Sequence, residues 1–178
     1  MIRLNGTLKE RLDQAIRMSY TGVTSIEFNH FRHIYSTAGI RLLPSAEEFF
    51  KHYGGVFRNY YLVLSDPSYN DDFHFDFYAD STDPKEPEEE VLLRLDNAMR
   101  SKKKVKEFAQ QKVCPVAKIG YFYPADVFVG ENGLLYCVYG LHDEIDVFHT
   151  PNEILESSLK DNMPVGIELS SVITYRGE

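Results

Sequence analysis

The sequence predicts an α+β fold, with N-terminal helices followed by a mainly antiparallel sheet and one long helix inserted between strands. Three observations carry that expectation. Apolar residues recur at helical spacing as far as Tyr53, the period drops to two from Tyr60, and short apolar runs crowd the second half.

Leu4 to about Met18 reads as a first helix. Phe28, Phe31, Ile34, Tyr35 and Ala38 mark a second, with Ser25 as its cap and Gly39 as its stop. Ser45-Ala-Glu-Glu48 has capping-box form, in which Ser45 and Glu48 would satisfy orphan amides reciprocally. It opens a helix carrying Ala46, Phe49, Phe50 and Tyr53 on one face and ending at Gly54-Gly55. Tyr60 to Leu64 then reads as a strand. Phe73, Phe75 and Phe77 alternate with His74, Asp76 and Tyr78, the pattern of a half-buried strand with one polar face.

Asp80 to Pro87 reads as a surface loop leading into the long helix, Glu88 to Gln111. Its stripe is Val91, Leu95, Ala98, Val105 and Ala109, interrupted by Lys102, which marks Ser101 as a point of breakage. Strands follow at 117–123, 125–129, 134–139 and 145–148, with Asn132-Gly133 as a hairpin signal. Thr150-Pro-Asn-Glu153 starts a last helix with Ile154, Leu155 and Leu159, and Pro164 to about Tyr175 closes the chain as a strand.

The 178 residues read as one domain, long enough to bury roughly 70% of the unfolded surface. Hydrophobic residues at 43% and charged residues at 26% exclude a disordered chain. The longest uncharged apolar run, Gly133 to Leu141, is too short to span a bilayer, and no basic-then-apolar leader opens the chain. Cys114 and Cys137 have neither metal nor disulfide spacing. The expectation is a soluble cytoplasmic protein.

A net charge of −8 and a pI near 5.3 argue against nucleic acid or an anionic membrane as partner. From Asp66 to Glu90 ten acidic residues face only Lys85, whereas from Arg100 to Lys112 six basic residues face only Glu107. The helix dipole accounts for part of this. Glu88, Glu89 and Glu90 stand at one helix's N-terminus and the lysines near its C-terminus, each favourable charge contributing about 0.3–1 kcal/mol. No dipole explains the remaining acidic excess, whose simplest meaning is a basic partner met by electrostatic steering.

Candidate chemistry is sparse. His30 and His33 are close enough on a helix to share a metal, but they flank or oppose the aromatic stripe and no third ligand follows. His74 and Asp76 share a strand face, continued by Tyr78, as the start of an acid–base pair without a nucleophile; a solvated or binding face accounts for them better. Cys114 and Cys137 lie in apolar text and read as buried, inert thiols. Phosphate loops, nucleophile elbows and His-Glu-x-x-His motifs are missing. The reading is therefore of a protein with no metal, no cofactor and no catalytic role.

Two stretches resemble a known family. The first is Ala38-Gly-Ile-Arg-Leu-Leu-Pro-Ser-Ala-Glu-Glu-Phe-Phe-Lys-His-Tyr-Gly-Gly55. The second runs through Cys114-Pro-Val-Ala-Lys-Ile-Gly120, Asn132-Gly-Leu-Leu-Tyr-Cys-Val-Tyr139 and Pro151 to Leu159. In order and spacing, over residues 26 to 160, they resemble the third branch of the SUKH superfamily of bacterial immunity proteins. Gly120 departs from the pattern by three residues. The resemblance implies an α+β cytosolic binder, without catalysis, that neutralises a polymorphic toxin, often a nuclease.

The expected partner is thus a cognate toxin protein with a basic surface. The candidate contact residues are Tyr69, Asp71, Asp72, Asp76, Tyr78 and Asp80, with a second group at Asp143, Glu144 and Asp146. The alternatives are a regulatory protein-binding module of the same fold and a small hydrolase built on His74 and Asp76.

Overall fold

The computed structural model describes residues 1–79 and 87–170, and the fold is α+β. Three helices open the chain: α1 (Leu8–Ser19), α2 (Ser25–Thr37) and α3 (Pro44–Tyr53). α1 starts at Leu8 rather than at Leu4, because Gly6 stands at φ +100° and Thr7 caps the helix; Ile2–Arg3 form a short strand, β1, ahead of it. Thr7 caps α1 and Thr24 caps α2, each closing a full capping box with a glutamate three residues on (Glu10 and Glu27). The cap of α2 is therefore Thr24, not Ser25.

The predicted capping box at Ser45 does not form. Pro44 takes the first helical position, where its missing N–H costs nothing, and Leu43 precedes it without a side-chain cap. Ser45 is then inside the first turn, its buried Oγ without a hydrogen-bond partner among the described residues, and Glu48 binds Lys51 at 3.0 Å. At the other end, Gly54-Gly55 is required by crowding. A Cβ on Gly55 would lie 2.5 Å from the Gly22 carbonyl oxygen, and one on Gly54 would lie 2.6 Å from the Phe50 carbonyl oxygen.

The strands form two sheets where the sequence pattern reads as one. β2 (Tyr60–Leu64) and β8 (Pro164–Leu169) join β1 in an antiparallel three-stranded sheet, ordered β1-β8-β2. β3 (Phe73–Phe77), β4 (Val113–Tyr121), β5 (Ala125–Gly130), β6 (Leu135–Val138) and β7 (Ile145–Phe148) form a five-stranded antiparallel meander in sequence order. A 3-10 helix, Pro67–Asp72, links the sheets. The β5–β6 connection is a turn in which the Gly133 N–H reaches the Gly130 carbonyl at 2.9 Å, with Gly133 at φ +80°. Only Gly133 uses the left-handed region there; Asn132 instead caps the turn, its Oδ1 accepting from the Leu134 N–H at 3.0 Å. The expected extension of the last strand to Tyr175 lies partly outside the described residues.

The inserted helix is two helices, α4 (Glu88–Met99) and α5 (Lys102–Ala109), broken at Arg100-Ser101. The break gives the apparently single stripe two destinations. Val91, Leu95 and Ala98 enter the main core, whereas Val105 packs with Val113, Phe128, Tyr136 and Val138 on the opposite face of the meander. On the main-core face, Phe31 stacks on Phe50 at 4.6 Å, and the Phe77 ring meets Phe49 and Phe50. Tyr35 ties α2 to the bulged part of β4 by donating to the Pro115 carbonyl at 2.5 Å. The last helix, α6 (Pro151–Ser158), packs against β4 and α1, capped by Thr150 as its sequence predicts.

Candidate functional site

The meander's register brings the two candidate groups to one end of the same sheet. Phe73 pairs with Tyr121, Ile119 with Ala125, Asp126 with Val138, and Val138 with Ile145. The 3-10 helix, the β4–β5 turn (122–124) and the β6–β7 loop (139–144) therefore emerge side by side. Five strands at the usual spacing make this rim about 19 Å long.

At one corner, Tyr69 is 41% exposed beside exposed Asp66 and Asp71 and half-buried Asp72. At the centre, Phe122 is 49% and Tyr123 71% exposed. At the far corner Leu141 is 71% exposed next to exposed Asp143 and Glu144. The segments 66–72, 121–126 and 139–146 contain no lysine or arginine. Among the described residues Lys104 of α5 lies 3.5 Å from Asp143, and Lys118 stands across from Asp126 on the β4–β5 ladder. Large apolar side chains between exposed carboxylates, Asp71 and Glu144 at the two corners, form the kind of surface that anchors a basic protein partner.

The centre of the rim is held, not floppy. Phe122 sits at φ +61°, a conformation that costs an aromatic residue roughly 1–2 kcal/mol and persists only where neighbours enforce it. Its N–H donates to the Asp72 carbonyl at 3.1 Å, and its ring lies 5.2 Å from Tyr69 and 4.4 Å from Tyr121. Buried Asn162 fixes the support beneath. Its Oδ1 accepts from the Ser65 hydroxyl at 2.7 Å and the Asp66 N–H at 2.8 Å, and its Nδ2 donates to the Tyr121 hydroxyl at 2.9 Å. Asn162 is thus a positioning residue joining the β2 exit to the end of β4.

The other candidates separate. Tyr78 does not continue an exposed row with His74 and Asp76. It follows β3, is buried, and donates to Asp126 at 2.5 Å, so its ring is unavailable to a partner. Burial and the Asp126 carboxylate push its hydroxyl well above the ordinary tyrosine range. Asp76 is exposed, 2.9 Å from His74 Nδ1, and stands across from Lys118 on the sheet face rather than on the rim. His74 faces Gly120 across the same ladder, where no side chain could serve as a nucleophile. Asp146 is exposed on edge strand β7, one residue in from the rim. Asp80 lies outside the described residues.

His30 is exposed, and His33 lies 3.4 Å from Glu88 of α4; among the described residues no three His, Cys, Asp or Glu side chains gather as a metal site. Cys114 and Cys137 are buried and unbridged. Burial pushes the Cys114 thiol up to about 12 and that of Cys137 higher still, so neither is a nucleophile near neutral pH.

Phe122, Tyr123 and Asn162 are the residues that sequence reasoning missed. Tyr121-Phe-Tyr123 reads as the tail of the strand expected over 117–123, and its apolar text conceals that only Tyr121 packs inward. Pro124 marked the break between the two strands, but the turn begins two residues before it, at Phe122.

Among the described residues no helix is long and apolar enough to cross a membrane. No family model, no curated protein and no solved structure matches the chain. The likeness to SUKH immunity proteins accordingly rests on the quoted motifs.

Proposed function

We propose that this protein is a cytoplasmic immunity protein, which binds a basic polymorphic toxin, of the nuclease kind, through protein–protein contact and blocks it without catalysis. The observation that carries this reading is the rim: Tyr69, Phe122, Tyr123 and Leu141 exposed in line between Asp71 and Glu144, with no lysine or arginine in the three contributing segments. A nuclease presents a phosphate-binding, positively charged surface, and an acidic rim with aromatic anchors complements it in sign and speeds encounter. The SUKH-like motifs point to the same role.

The test is capture of the tagged full-length protein from the producing bacterium at low and high salt, with mass spectrometry. The expected result is one large toxin, recovered less as salt rises, whose isolated toxic domain kills a surrogate host unless this protein is co-expressed. Recovery of a housekeeping protein with no toxicity replaces immunity by regulation. A conversion lost on His74→Ala replaces binding by hydrolysis.

A further inference from the structure

We propose that the outer edge of β7 is a strand-addition site, and that its occupant is an extended segment of the partner in which basic and apolar side chains alternate. The proposal rests on the protein-binding reading and names the mode of contact.

The ladder fixes which backbone groups face outward. The Gly130 N–H donates to the Leu134 carbonyl at 3.0 Å, so this is a hydrogen-bonded pair. Alternation along an antiparallel pair makes Phe128/Tyr136 and Asp126/Val138 hydrogen-bonded as well, leaving Leu135 and Cys137 to bond β7. Their partners there are Phe148 and Asp146. Ile145 and Val147 therefore turn their N–H and C=O groups away from the sheet, and among the described residues nothing pairs with them.

A groove of about 370 Å³ runs along this edge, lined by Lys104, Phe108, Asp143, Glu144, Ile145 and Asp146. Ile145 and Val147 share the sheet face on which α5 packs, where Phe108 is 54% exposed; Asp146 points to the other face. A strand laid beside β7 would meet apolar surface at the positions opposite Ile145 and Val147. It would meet carboxylates at the positions between. Lys104 engages Asp143, which leaves Glu144 and Asp146 for cations of the partner.

The same charges select against a second copy of this chain. Two β7 edges paired antiparallel, Ile145 opposite Val147, would set Asp146 directly across from Asp146, a destabilising like-charge pair. Edge carboxylates of this kind block self-pairing while attracting a basic strand.

The probe is a labelled peptide alternating lysine and valine, titrated against the full chain by fluorescence anisotropy. Its counterpart has the same sequence with the valine amides N-methylated, which keeps the charge and removes the N–H groups that would bond β7. The parent should bind the first about tenfold more tightly than the second. Val147→Pro, which removes an outward N–H on an edge strand, should abolish that preference. The amide resonances of Ile145 and Val147 should shift on titration of the parent, a reading that survives if the proline variant misfolds. Equal affinity for the two peptides would overturn the proposal, as would a dimer that Val147→Pro dissolves. The rim reading is separable: Tyr123→Ser should leave peptide affinity unchanged while losing toxin neutralisation. Loss of both in Tyr123→Ser would place the peptide on the rim instead.

Discussion

Raising the pH above about 9 should destabilise this protein through its two buried thiols. Cys114 and Cys137 are both fully buried, and desolvation raises Cys114 from an ordinary 9.0 to about 12 and Cys137 further. In the unfolded chain each thiol ionises near 9.0. Because the folded values are raised, the stability linked to the protonated thiols is complete below about pH 9. It falls as pH climbs toward the folded values, since unfolding then releases protons. At about pH 10.5 each thiol removes about 2 kcal/mol, and the pair about 4 kcal/mol, from a stability of order 5–15 kcal/mol. Tyr35, Tyr78 and Tyr139, all raised chiefly by burial, steepen the fall above pH 10. Urea unfolding in steps from about pH 8 to 10.5, under reducing agent, reads this as a falling midpoint at constant slope. The double variant Cys114→Ala/Cys137→Ala should lose the decline below about pH 10 while keeping the tyrosine-driven part above it. Equal declines in parent and variant, or a flat profile in the parent, would refute the reasoning.

Three further outcomes concern single residues. Gly55→Ala should lower stability by about 1–3 kcal/mol, because its Cβ would lie 2.5 Å from the Gly22 carbonyl oxygen, backbone that cannot rotate away. Gly133→Ala, with nothing within 4 Å but φ +80°, should cost only about 1 kcal/mol, both read by thermal unfolding. Asn162→Ala leaves the Asp66 N–H and the Tyr121 hydroxyl without their partner, at a cost of about 1–3 kcal/mol, and should broaden the Phe122 amide resonance more than those of α6.

What was legible in the sequence is what local rules govern. β7 and the cap of α6 stand where periodicity and Thr150-Pro151 put them, since strand alternation and capping depend on neighbouring residues. Ser45 misled because a capping box and a proline at the first position compete for the same turn, and Pro44 prevailed through its fixed φ. The stripe from Val91 to Ala109 concealed that its halves serve different faces of one sheet, which only the break at Arg100-Ser101 and the tertiary packing decide. Tyr78 alternates correctly for a solvent face, but the strand ends one residue earlier and the ring turns in to meet Asp126. Both acidic groups were visible in the text. That Asp71 and Glu144 flank one rim, with Phe122 and Tyr123 between them, follows from sheet order, which spacing along the chain does not encode.

The central claim is tested most directly by co-expressing the captured toxic domain with this protein and scoring survival. Parent protein should protect. Tyr123→Ser and the charge reversal Asp71→Lys/Asp72→Lys should fold normally yet protect poorly, each weakening binding by about 2 kcal/mol, roughly thirtyfold. The control Lys9→Glu on α1, remote in sequence from all three rim segments, should protect as the parent does. Full protection by both rim variants would contradict the account.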